Sequence, residues 1–233
     1  MKNHIFGFIS LALSLPVWAN DEVSIDFEVS AEAAACTPTL SNNGVVDYGT
    51  NHVSSLSTHA FTQIGARDIT LSIQCESSTS VAITARDSRA SSMISGKDDR
   101  NEEGARFQIN GGGYVSDKTR LFGLGYTAEN RPIGSYAIQI VADKVTAVDG
   151  EQSVSVDIGG AAGKDGPWAH STLLPLPANE DYFFTFLKKG TSEPQPIMNA
   201  QVPLQVSTTI ANKLNSSQAI NLDGSAVISI VYL

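Results

Sequence analysis

Basic charge is scarce in this chain. Its 233 residues carry 15 Lys+Arg against 24 Asp+Glu, a net charge of −9 with histidine neutral. That excludes partners held through phosphates, since nucleic acid or an anionic membrane needs a basic patch. Histidine is nearly absent too. His52, His59 and His170 are the only ones beyond the first few residues, and none stands in a metal-ligand spacing. The two cysteines, Cys36 and Cys75, lie too far apart and lack the histidine company of a zinc site. No GxSxG, Walker or HExxH motif occurs. "GLG" at 123–125 and "GGG" at 111–113 sit among strand patterns with no helix to follow, so neither forms a dinucleotide loop. "DRNEE" at 99–103 lacks the oxygen spacing and glycine of a calcium loop and reads as a solvated stretch. The sequon at Asn215 has meaning only with the matching export machinery. These absences point to a non-enzyme with no catalytic residue, metal or cofactor.

What is present begins with "MKNHIFGFISLALSLPVWA". A basic start, an apolar run over Ile5 to Leu15 and a small-residue end give the layout of a secretory signal peptide. Residues 1–19 are assigned to it, with cleavage after Ala19. The alternative is a membrane anchor, but the run is short and Asn20, Asp21 and Glu22 follow directly. Loss of 19 residues from 233 leaves 214, with 14 basic against 24 acidic side chains and a net charge near −10. In an exported chain an even pair of cysteines points to a disulfide. Its closed loop of about 40 residues contributes on the order of 3–4 kcal/mol. The alternative is two free buried thiols.

The dominant period is two. "VSIDFEV" puts Val23, Ile25, Phe27 and Val29 on one face, and "DITLSIQC" groups Ile69, Leu71, Ile73 and Cys75. "SVAITA", "ARFQI", "SYAIQIVA", "SVSVDI", "DYFFTFL", "QVPLQVSTTI" and "GSAVISIVYL" follow suit. Alternation marks half-buried strands because successive side chains leave opposite faces. Turn-forming Gly, Asn, Asp, Ser and Pro separate the runs. The expected class is all-β, an antiparallel sandwich. Helical signal is confined to "AEAAAC" at 31–36 and one turn in "TTIANKLNS" at 208–216. Residues 86–104 and 159–181 read as long surface loops. Trp168 in the second is either a binding-loop residue or a side chain packed on the sandwich.

The order of features resembles one family. A signal peptide, an alternating arm, Cys36, "NNGVVDYG" at 42–49, Cys75 and a C-terminal strand with a penultimate tyrosine are similar to structural subunits of chaperone–usher fimbriae in Gram-negative bacteria. The resemblance implies an incomplete immunoglobulin-like antiparallel β-sandwich, residues 32–233, that lacks its last strand. Residues 20–31 would be an N-terminal donor-strand extension. Its plugs would be Val23, Ile25, Phe27 and Val29, with Ala31 ending the row. Four such side chains leaving water contribute roughly 6–12 kcal/mol before ordering costs. Cys36 and Cys75 would join the first strand to the next. Ala226, Ile228, Ile230 and Tyr232 would face the groove, and a chaperone would grip the carboxylate of Leu233. The implied partners are a periplasmic chaperone, an outer-membrane usher and neighbouring subunits. The implied destination is a fimbrium on the cell surface, with a role in cell adhesion.

Three features depart from the family. The family's glycine falls nearer Ile220 than Gly224. The chain exceeds a typical major pilin in length, which favours a minor or adaptor subunit. The arm has no glycine at its plug positions. Alternatives also stand beside the resemblance. "VSIDFEV" could be an ordinary first strand and "GSAVISIVYL" an ordinary closing one, since alternation does not reveal a strand's partner. A tip adhesin or secreted lectin-like protein is the second function, and a secreted enzyme the third.

Overall fold

The period-two runs fold as strands because β-branched and aromatic side chains pack well on a pleated, half-buried surface. The structure is a computed structural model that describes residues 35–49, 53–95, 105–106, 113–172, 174–214 and 219–233. Its strands are β1 (Cys36–Leu40), β2 (Thr62–Thr79), β3 (Val81–Asp87), β4 (Ala105–Arg106), β5 (Tyr114–Val115), β6 (Phe122–Gly123), β7 (Gly134–Ile140), β8 (Thr146–Asp149), β9 (Gln152–Val154), β10 (Val156–Ala161), β11 (Ala169–His170), β12 (Phe183–Lys188), β13 (Ile197–Ile210) and β14 (Ala226–Tyr232). Among the described residues the only helical segments are short 3-10 turns. The chain is all-β, and all strand pairs among the described residues are antiparallel.

One sheet runs β1-β2-β13-β7-β6, with β8 and β9 branching from β13. The other runs β11-β10-β12-β3-β14. β4 and β5 form a separate pair. A single apolar cluster takes Leu71, Ile73, Ile140, Val202 and Leu204 from the first sheet and Ile83, Ile158, Phe184 and Phe186 from the second. The two sheets therefore bury one shared core, as layered β architecture requires. Cys36 lies opposite Cys75 in the β1–β2 ladder, and the two form a disulfide. After β1 the "NNG" turn places Asn42, Asn43 and Gly44 at φ 51°, 51° and 77°. Asn and Gly tolerate that left-handed backbone at low cost.

Several loop and helix expectations are corrected. Residues 159–161 belong to β10 and are buried. Residues 174–176 pair with β7: Ile140 N–H donates to Leu174 O at 3.0 Å, and Leu176 N–H to Ile138 O at 2.8 Å. The same segment then reaches β3, where Asp87 N–H donates to Ala178 O at 2.7 Å. Residues 86–87 end β3, and Asp87 and Ser92 are buried. Thr208 to Ile210 close β13 as strand rather than helix. Trp168 is buried against Ala82, Ala161 and Leu187, so it is a packing residue.

Candidate functional site

β1 ends one sheet and β14 ends the other, so each has one edge without a strand partner among the described residues. The two meet where Cys36 N–H donates to the Tyr232 hydroxyl at 2.8 Å. Between Leu40 and Gly44 on one side and Gly224 to Ile228 on the other lies a groove of ≈ 240 Å³. Ile69, Leu204 and Val206, with Tyr136 and Ile138 of β7, line it. A second hollow of ≈ 230 Å³, which shares Val46, adds Leu56, Ile210, Ile220 and Leu222.

The contrast between neighbouring strands defines the site. In β3, Val81, Ile83 and Ala85 are at most 1% exposed. In adjacent β14, Ala226, Ile228 and Ile230 pack on the same core but are only half-buried. Burial yields about 25 cal/mol per Å² of apolar surface, so this face has stabilisation still to gain. Val227 points the other way and is 42% exposed.

Polar contacts fix the start of β14. Arg89 donates to both oxygens of Asp223, at 3.0 and 3.2 Å. That hydrogen bond holds the exposed guanidinium above its usual pKa. Ser88 N–H donates to Ser225 O and Asp223 N–H to Leu124 O. Asp87 is buried and accepts from Gly123 N–H and Arg89 N–H, both at 2.7 Å. Tyr136 stacks on Phe122 at 5.2 Å. Burial pushes its hydroxyl well above the ordinary tyrosine range, and the Asp87 charge adds to this. A Cβ at Gly224 would come 2.7 Å from this ring, so glycine lets the chain pass over Tyr136 into β14.

Of the residues singled out in the sequence, Ala226, Ile228 and Ile230 lie together on the core-facing side of β14. Tyr232 and Leu233 are 43% and 40% exposed, and Leu233 N–H donates to Ser80 O. The proposed plugs Val23, Ile25, Phe27 and Val29 lie outside the described residues, as does the carboxylate run at 99–103. His59 and His170 are exposed, and no group of residues able to hold a metal occurs among the described residues. Sequence reading missed the lining from β2, β7 and β13. The alternation there signalled an inward face, but not that Tyr136, Ile138, Leu204 and Val206 border an open edge.

These features define an all-β protein of two antiparallel sheets with a half-covered apolar groove between two strand edges. A family model described as "Protein of unknown function (DUF1120)" matches residues 27–137. The chain is 50% identical over 228 residues to the uncharacterized protein YhcF of Escherichia coli (strain K12), with 96% of each chain covered. It is 26% identical over 257 residues to protein GltF of the same organism, covering 100% of this chain and 98% of the relative. The chain belongs to the family of YhcF.

Proposed function

We propose that this chain is a structural subunit of a chaperone–usher fimbria. On this reading it is exported through the periplasm and polymerises by donor-strand exchange. The observation that carries the reading is the half-covered face of Ala226, Ile228 and Ile230 beside two strand edges that have no strand partner among the described residues. Such a groove suits β-augmentation, in which main-chain hydrogen bonds give affinity and alternate side chains fill pockets. The donor would be residues 20–31 of the next subunit. β14 has seven residues, about 20 Å of strand, and "VSIDFEV" has seven as well. Val23, Ile25, Phe27 and Val29 would enter the groove as alternate side chains. Before assembly a periplasmic chaperone would lend the strand, since an open sheet edge over an unfilled core invites aggregation. The Cys36–Cys75 disulfide fits an oxidising compartment.

The test is deletion of residues 20–31 with the chaperone co-expressed. The truncated chain is expected to form the subunit–chaperone complex and to form no fibres under electron microscopy. Fibres built from the truncated chain would show that the arm is not the donor.

A further inference from the structure

A further hollow lies on the side of the two sheets opposite the groove, where β9 leads into β10 across Ser155. β1 and β14 end the two sheets on the groove side, whereas β8 and β9 branch from β13 on the other. The hollow has a volume of ≈ 620 Å³, which suits a small organic ligand.

Its apolar lining is aliphatic. Val145, Val154 and Val156 pack on the shared core yet stay half-buried, and half-buried Val148 adds to the lining. Apolar surface left in water gains from any apolar body that covers it. No aromatic side chain is among the described residues that line the hollow. Aromatic cages are what hold quaternary ammonium groups. This lining fits a plain aliphatic chain instead.

The charges of the lining select the other end of the ligand. Lys189 is the one cation among the described lining residues, and Asp157 accepts from its ammonium. Asp157 also accepts from Gly190 N–H at 2.8 Å, and His170 Nδ1 lies 3.7 Å from it. Asp143 lines the same hollow and has no ion pair among the described residues. Two carboxylates against one ammonium leave the lining one negative charge in excess. The net charge of the chain, −9, has the same sign. Both disfavour an anion and favour a cation. A primary ammonium brings three N–H donors. The lining supplies the Asp143 carboxylate and the hydroxyls of Thr146, Ser153 and Ser155 as acceptors.

We propose that this hollow binds a primary ammonium carried on an aliphatic chain. Asp143 takes the ammonium, and the valines cover the chain. The inference stands apart from the strand groove and needs no polymerisation. It is tested by titrating the purified protein, free or held by a strand-lending partner, with octylamine, octyltrimethylammonium, octanol and octanoate at pH 7. Calorimetry and saturation-transfer NMR are the readouts. Octylamine is expected to bind at least about tenfold more tightly than each of the other three. Ethylamine, with the same head and almost no chain, is expected to bind at least about tenfold more weakly than octylamine. Asp143→Asn should weaken octylamine by about tenfold and leave octanol unchanged. Glu151→Gln removes one negative charge from the nearby β8–β9 turn, outside the lining, and should leave octylamine binding unchanged. Asp143 and Glu151 are both exposed, so neither variant threatens folding. No binding of octylamine at millimolar concentration would overturn the proposal. So would equal binding of octyltrimethylammonium, octanoate or ethylamine. Equal losses in Asp143→Asn and Glu151→Gln would also overturn it, since they would reduce the effect to the general field of an acidic chain.

Discussion

Tyr136 couples the groove to the buried polar group behind it. Its ring borders the groove and lies under Gly224, and its hydroxyl is held protonated by burial and by the nearby Asp87 charge. The unfolded chain releases tyrosine protons near pH 10, whereas the folded chain retains this one to higher pH. The folded state therefore binds more protons above pH ~10, and its stability is complete below that pH and lost above it. Burial raises Tyr48 in the same direction, so it adds to the loss. Urea unfolding between about pH 9 and 11 is expected to show a steady fall in unfolding free energy. Tyr136→Phe should make that fall shallower. A wild-type slope in the variant would show that this hydroxyl stays as accessible to ionisation in the folded state as in the unfolded.

At the scale of the element, β14 takes its inward face from simple alternation. Ile228→Asp would put a carboxylate on the core side, at a cost of about 1–3 kcal/mol. Val227→Asp, one residue away on the exposed side, should change stability by no more than ~0.5 kcal/mol. Equilibrium unfolding of the two variants checks this, and equal losses would mean that alternation does not set the buried face. Most strands were legible for the same reason: period two survives in "DITLSIQC", "SVAITA" and "SYAIQIVA", which became parts of β2, β3 and β7. The errors arose where the strand signal was carried by glycine and proline. Gly159 and Gly160 read as loop, yet a Cβ at either would lie 2.5 Å from Leu187 or Tyr182. There glycine allows close packing rather than a turn. "LLPLP" read as loop because proline cannot donate to a ladder, but Leu174 and Leu176 supply the bonds to β7. The lining of the groove was illegible because Tyr136, Ile138, Leu204 and Val206 meet Gly224 to Ile228 only through the fold.

At the scale of the whole molecule, two sheets share one core but leave it unevenly covered. β3 and β12 are sealed, with Ile83, Phe184 and Phe186 at most 1% exposed. The flank between β1 and β14 keeps its apolar face half-open. A chain that depends on a borrowed strand there should be hard to obtain alone. It would expose an unpaired edge and an apolar strip together, a combination that templates association with other chains. Folding of a β-rich chain with many non-local pairings is slow, which prolongs that exposure. Expressed in the periplasm without a strand-lending partner, the protein is expected to be degraded or to aggregate. Co-expression with the partner should restore soluble protein as a one-to-one complex, measured by periplasmic yield and light scattering. A soluble monomer with a single cooperative unfolding transition in the partner's absence would show that the sandwich is complete on its own. β14 would then be an ordinary closing strand.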